Sequence, residues 1–256
     1  MKCRRGLFAL ALIGMLSRAA VGQVPKYGPR AERLHARHEY LQRNAAHDFW
    51  RLMPYYLPQP TDAACSAASV AMLVNALRAE QELGSQDELA TPTGLVERVG
   101  DQAWAAAVAN GGAGVTLDEL AKIVKRALAA YDVSGRAVEQ VHVADTSDAT
   151  LAQVRKVLAA NEADPNDVLL VQFQQSTFTG DPEGAVGHIA PVAAYDAASD
   201  RALILDPDRR WYEPYWVTIP TLVEGMATRD PVNGQSRGYL WVRGNDERRR
   251  VNPASD

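Results

Sequence analysis

Gln59-Pro60-Thr61-Asp62-Ala63-Ala64-Cys65-Ser66-Ala67-Ala68-Ser69-Val70-Ala71-Met72-Leu73-Val74-Asn75-Ala76-Leu77 is a polar loop that runs through a cysteine into an apolar stretch. The spacing predicts a helix with Ser69, Met72, Leu73, Ala76 and Leu77 toward the core, capped at its start by Thr61 or Asp62. Cys65 then falls in or beside the first turn, where unpaired N–H groups and the positive end of the helix dipole favour thiolate over thiol. Gln59, upstream of it, has a side-chain N–H to offer a developing oxyanion. A nucleophile and a buried, inert thiol both fit Cys65 taken alone.

The compartment sharpens that choice. Residues 1–22 begin with a basic Met1-Lys2-Cys3-Arg4-Arg5, continue through an apolar Gly6 to Leu16, and end on Ala20-Val21-Gly22. They read as a secretory signal peptide, too short in its apolar part for a spanning helix, which places the protein in a periplasm or outside the cell. Residues 23–256 read as one domain with a substantial core. Only two cysteines occur, and removal of residues 1–22 takes Cys3 with it, leaving Cys65 unpaired where cysteines normally pair. The net charge of −4 carries no basic stripe, which argues against nucleic acid, and no membrane contact is expected after the signal is removed. The sequence leaves the oligomeric state open, a homodimer included.

Along the chain, helical patterns dominate the first half. Residues 31–52 read as a helix with His35, His38 and Glu39 on one face, short of the ligands a metal needs. Thr116 caps a helix over 117–130, with Glu119 completing a capping box, and Ser147 caps another over 149–160. Val138 to Val143 alternates as a strand, with His142 a strand residue of no assigned chemistry. The second half turns to β: 168–173, 187–195, 201–205, 215–219 and 238–243, with a short helix over 220–227. This is an α+β pattern, a helical N-terminal half packed on a C-terminal antiparallel sheet.

A cysteine nucleophile needs a base within hydrogen-bond reach and a group to orient that base. Of the five histidines, His188 stands out, because it follows the flexible Gly184-Ala185-Val186-Gly187 and opens an apolar strand. If 187–195 and 201–205 form a hairpin, His188 and Asp206 meet at one end of the sheet.

The order Gln, Cys, His, Asp on helix then sheet is that of papain-like cysteine peptidases. Gly187-His188-Ile189-Ala190-Pro191 resembles the Gly-His-[hydrophobic]-Ser-Pro segment of the phytochelatin synthase family. Asp206-Pro207-Asp208-Arg209, followed by Tyr212-Glu213-Pro214-Tyr215-Trp216-Val217, is similar to that family's Asp-Val-x-Arg…Tyr-Pro-Pro-x-Trp-Val block, and Ser236-Arg237-Gly238-Tyr239 to its closing Thr-Arg-Gly-Phe. The resemblance spans about Tyr55 to Val242 and lacks the Cys-rich region of the plant enzymes. It implies a papain-like fold in which Cys65 attacks the Cys–Gly carbonyl of glutathione. His188 acts as base and then acid, Asp206 orients it, and Gln59 with the Cys65 N–H holds the oxyanion. Arg209 and Arg237 are implied as substrate-binding residues. The acyl chemistry requires no cofactor, and no resident metal is implied; heavy-metal thiolates of cadmium or zinc are candidate activators, in line with heavy-metal detoxification. Water or a second glutathione takes the acyl group. Around the nucleophile Ala64 and Ser66 replace the family's Tyr and Gly, which leaves open a peptidase on another peptide and a non-catalytic thiol- or metal-binding protein.

Overall fold

The computed structural model describes residues 25–79, 81–180 and 186–244. The expected signal peptide lies outside these. Helices occupy most of the N-terminal half, and a seven-stranded, wholly antiparallel sheet is completed in the C-terminal half, in the order β1-β6-β5-β4-β3-β7-β2. The sheet core is β3 (Val168–Gln174), β4 (Gly187–Asp196), β5 (Arg201–Ile204) and β7 (Gly238–Gly244). The outer strands are β1 (Ala31–Arg33), β6 (Tyr215–Thr218) and β2 (Arg136–His142).

Both faces of this sheet are covered, and the alternation of side chains divides the core in two. Leu170, Ile189, Leu203 and Leu240 pack with α3 (Cys65–Arg78) and α6 (Leu117–Ala130). Their neighbours Leu169, Ala190, Ile204 and Tyr239 pack with α7 (Asp148–Ala163) and α8 (Ile219–Ala227). Burial on both faces is why residues 168–171 read as an unbroken apolar run. It also buries every residue of α3, rather than the one face that the spacing predicts.

Thr116 accepts from the Glu119 N–H while Glu119 accepts from the Thr116 N–H, closing the expected capping box, and Ser147 caps α7. The single helix predicted over 31–52 is instead broken. Its first residues pair with β6 as an edge strand (Ala31↔Val217), and Ala46 takes a left-handed conformation (φ 44°) between α1 (Glu39–Arg43) and α2 (His47–Leu52). His35 lies in a short 3-10 turn ahead of α1, so His35, His38 and Glu39 share no helix face.

One costly group sits in this core. Asp48 of α2 is 2 % exposed; Asn161 of α7 donates to it and, at 2.9 Å, to Asp167. Burial first, then the charges of Asp167 and Glu162, push the Asp48 carboxyl well above the ordinary carboxylate range, against the Arg51 charge and the Asn161 hydrogen bond. A group raised in the folded state contributes stability below its unfolded pKa and loses it as pH rises through the folded value. Asp48→Asn keeps a neutral acceptor for Asn161. Urea midpoints taken between about pH 5 and pH 9 are therefore expected to fall with pH in the wild type and to be flatter in this variant.

Candidate active site

Cys65 opens α3 and is buried and unpaired by any disulfide. The helix start differs from the sequence expectation in a way that matters. Its N-cap is Ala64, which has no side-chain oxygen, while Thr61 Oγ1 is engaged by the Val108 carbonyl and the Ala63 N–H. Asp62 stands exposed at the rim of the cleft beside Cys65. The first-turn N–H groups therefore face the thiol's surroundings without a capping side chain, available to an anion. Two buried bonds fix this turn. Trp104 Nε1 donates to Ser66 Oγ at 3.0 Å, and Ser69 Oγ donates to the Ile189 carbonyl at 2.9 Å. The second ties the helix to β4 one residue past His188.

β4 and β5 form the expected hairpin, and Leu205 N–H continues it by donating to Pro191 O at 3.0 Å. His188 Nε2 lies 2.7 Å from Asp206 Oδ1, with both side chains buried. The carboxylate is held by more than the imidazole. Oδ2 accepts from Tyr215 Oη at 2.7 Å and from Gln175 Nε2 at 3.2 Å, and Oδ1 from the Asp208 N–H at 2.8 Å. Burial alone raises the Asp206 carboxyl; the His188 charge and the hydrogen bonds from His188, Tyr215 and Asp208 outweigh it and hold the group below its ordinary range. Burial likewise lowers His188, but the Asp206 charge and hydrogen bond, then the Cys65 sulfur, carry it well above its usual value. Thiol, imidazole and carboxylate thus form one coupled chain, with Nε2 committed to Asp206.

The cleft beside Cys65 is walled by the 112–115 loop, β3, Gly187 and the 230–232 turn. Val168, Leu170 and Gln172 alternate onto the α3 face of β3, so Gln172 reaches the cleft. Its Nε2 donates to Val115 O at 2.9 Å, leaving Oε1 buried without a partner among the described residues. Arg237 is 2 % exposed; its Nη1 donates to Thr228 Oγ1 at 2.9 Å and Arg229 O at 2.8 Å, while Nε has no partner among the described residues. A Cβ built on Gly187 would stand 3.2 Å from this guanidinium, so the glycine's lack of a side chain lets Arg237 lie against β4. Buried Asp230 faces the same cleft and partly offsets the desolvation that lowers Arg237.

Comparison with known sequences places the chain in a family. The profile of the family described as phytochelatin synthase matches residues 32–239. The chain belongs to the phytochelatin synthase family. It is 26 % identical over 214 residues to glutathione gamma-glutamylcysteinyltransferase 1 of Arabidopsis thaliana, covering 80 % of this chain and 39 % of that protein. To the protein of the same name from Lotus japonicus it is 25 % identical over 215 residues, 80 % of this chain and 37 % of the relative. A shorter match to the Schizosaccharomyces pombe glutathione gamma-glutamylcysteinyltransferase is 30 % identical over 97 residues, 37 % of this chain and 22 % of that one. The chain therefore spans about two fifths of the length of the curated relatives it matches over most of its own length.

Within this phytochelatin synthase family domain the other sequence-derived candidates fall in two places. Gln59 is close to the chain: its backbone N–H donates to Pro207 O at 2.8 Å, and its Oε1 is buried without a partner among the described residues. Arg209 is exposed and stacks on Tyr56 at 4.2 Å, away from the residues that line the cleft. Tyr56 in turn donates to the Asp206 carbonyl. Among the described residues no group of three or more His, Cys, Asp or Glu side chains is placed to hold a metal, and no helix is long and apolar enough to cross a membrane. Sequence reading passed over Gln172, Gln175, Tyr215 and Asp230. Only Gln172 left a signal, as the one polar residue in a strand that is otherwise apolar from 168 to 173.

The Asp206 environment sets an acid limit. A depressed carboxyl contributes stability above its unfolded value of about 3.9, lost as pH falls through its folded value. Raised His188 contributes below about 6.5, lost as pH rises through its folded value. Tyr215→Phe removes a donor that lowers Asp206, so acid unfolding followed by circular dichroism is expected to begin at higher pH. The loss at neutral pH is expected to be about 1.5–3 kcal/mol, as for a hydrogen bond to a buried charge.

Proposed function

We propose that this protein is a thiol-dependent acyltransferase or hydrolase that cleaves the Cys–Gly bond of glutathione. The observation that carries the reading is the cleft beside Cys65. Gln172, Arg237 and buried Asp230 line one small space, and Gln172 Oε1, an acceptor, and Arg237 Nε, a cationic donor, are buried there without partners among the described residues. Buried polar groups without partners are costly, and a ligand that supplies both a cation and an anion relieves that cost. The free α-amino and α-carboxylate groups at the γ-glutamyl end of glutathione are such a pair, and a guanidinium suits the carboxylate. The Arabidopsis and Lotus relatives, named as glutathione gamma-glutamylcysteinyltransferases, support the same substrate.

In this reading Cys65 Sγ attacks the carbonyl carbon of the Cys–Gly bond after passing its proton to His188 Nδ1, the ring nitrogen that Asp206 leaves free. The oxyanion is received by the uncapped first turn of α3 and by Gln59, an effect worth on the order of 3 kcal/mol per donor in comparable sites. His188 then protonates the departing amine, the C–N bond breaks, and glycine leaves behind a γ-glutamylcysteinyl thioester. Water resolves it to γ-glutamylcysteine, or the amine of a second glutathione takes the acyl group and yields phytochelatin. Arg209, stacked on Tyr56 beside the Asp206 segment, is assigned to the second substrate rather than to the first. Cadmium or zinc enters as a thiolate complex of the substrate. Export through the N-terminal segment would place this chemistry in the periplasm or outside the cell.

Purified protein mixed with glutathione at neutral to mildly basic pH is expected to release glycine and to carry a γ-Glu-Cys adduct on Cys65 by mass spectrometry. Cys65→Ala is expected to lose glycine release by about a thousandfold or more; release that persists in that variant, or none from the wild type, refutes the assignment. Arg237→Lys keeps the charge but not the fork, and is expected to raise KM about tenfold with a smaller change in kcat.

A further inference from the structure

The turn that walls the cleft is gripped from outside it. Residues 228–237 fold back on themselves through the Arg229↔Ser236 bridge, with Asp230 N–H donating to Gln235 O at 2.8 Å and Arg237 N–H to Thr228 O at 3.0 Å. This segment brings Asp230, Val232 and Arg237 to the cleft. Its hold on the rest of the fold is the end of β2. Val143 N–H donates to Arg237 O at 2.9 Å, and His142 Nδ1 meets the Ser236 carbonyl. A carbonyl only accepts, so Nδ1 carries a proton there. The other ring nitrogen is met by Asp118 Oδ1 at 3.1 Å and by Gln140 at 3.0 Å, and Gln140 also reaches Asp118. Asp118 belongs to the first turn of α6, and the hydrogen bonds from His142 and Gln140 hold its carboxyl below its ordinary range. The imidazole is thus fixed on both edges, between a helix start and the backbone that leads directly into Arg237.

We propose that His142 is a positioning residue for substrate binding: it touches no substrate, but through the Ser236 carbonyl it sets the placement of the Arg237 guanidinium in the cleft. The sequence pattern alone leaves His142 as an ordinary strand residue. The brace is invisible there because Asp118, His142 and Ser236 are far apart in the chain. Nothing in the chemistry of the thiol depends on it, so its loss acts on binding and not on bond breaking. The inference rests on the glutathione reading for its kinetic readout alone.

The test compares wild type, His142→Leu and His142→Asn. Asn can present an amide N–H where Nδ1–H stood, and Leu cannot. In steady-state glycine release, His142→Leu is expected to raise KM for glutathione about five- to tenfold with kcat within about twofold, and His142→Asn to restore most of that KM. A Leu variant with wild-type KM, or Leu and Asn variants that lose kcat and KM alike, overturns the proposal. Should His142→Leu fail to fold, His142→Gln, whose amide is displaced from Ser236, takes its place. A wild-type protein that releases no glycine defeats the glutathione reading instead. Hydrogen exchange over residues 228–237 then decides the inference: faster exchange in the Leu variant with recovery in the Asn variant supports it, and unchanged exchange refutes it.

Discussion

A buried carboxylate that stays charged is the constraint around which this molecule is arranged. Asp206 is wholly buried and yet held anionic, because four donors converge on its two oxygens: His188, Tyr215, Gln175 and the Asp208 N–H. Desolvating an ion is repaid only when its hydrogen-bonding capacity is filled with good geometry. The partners come from β4, β6, the segment after β3 and the Asp206 loop itself, so the carboxylate pins two strands and two connecting segments to one point. The orientation of His188 follows from that pinning.

The site's other half depends on what is left unfilled. α6 and α7 close their first turns with side-chain caps, whereas α3 begins on Ala64 and leaves its first N–H groups uncapped beside the thiol. Gln172 Oε1 and Arg237 Nε are similarly unmatched among the described residues in the neighbouring cleft. Other buried polar atoms, such as Asp48 Oδ1 and Arg78 Nε, are also unmatched among the described residues, but Gln172 and Arg237 are the two of these that line the cleft beside Cys65.

Much of this was legible in the sequence, for physical reasons that can be named. The hairpin of β4 and β5 follows from two apolar runs separated by a polar turn, and antiparallel pairing alone then brings His188 to Asp206. The capping box at Thr116 is a local motif and survives in place. What failed was set by distant partners. Residues 31–33 have helical composition but become an edge strand because β6 offers them a ladder. Thr61 is a good cap by type, yet its hydroxyl is taken by Val108 in a segment more than 40 residues away. Tyr215 and Gln175 carry no mark in sequence of the carboxylate they serve, since strand pairing and register have to be known before either is placed beside it.

The contact between Gly187 and Arg237 links two distant parts of the chain. The guanidinium occupies the room a side chain at position 187 would fill, and it is tethered there by Thr228 and Arg229. A Cβ at 187 would stand 3.2 Å from the guanidinium and require it to give by a few tenths of an ångström, and a smaller residue at 237 leaves the space beside the glycine unfilled. Two positions lying 50 residues apart in the chain therefore share one space, and a substitution at either is felt at the wall of this cleft.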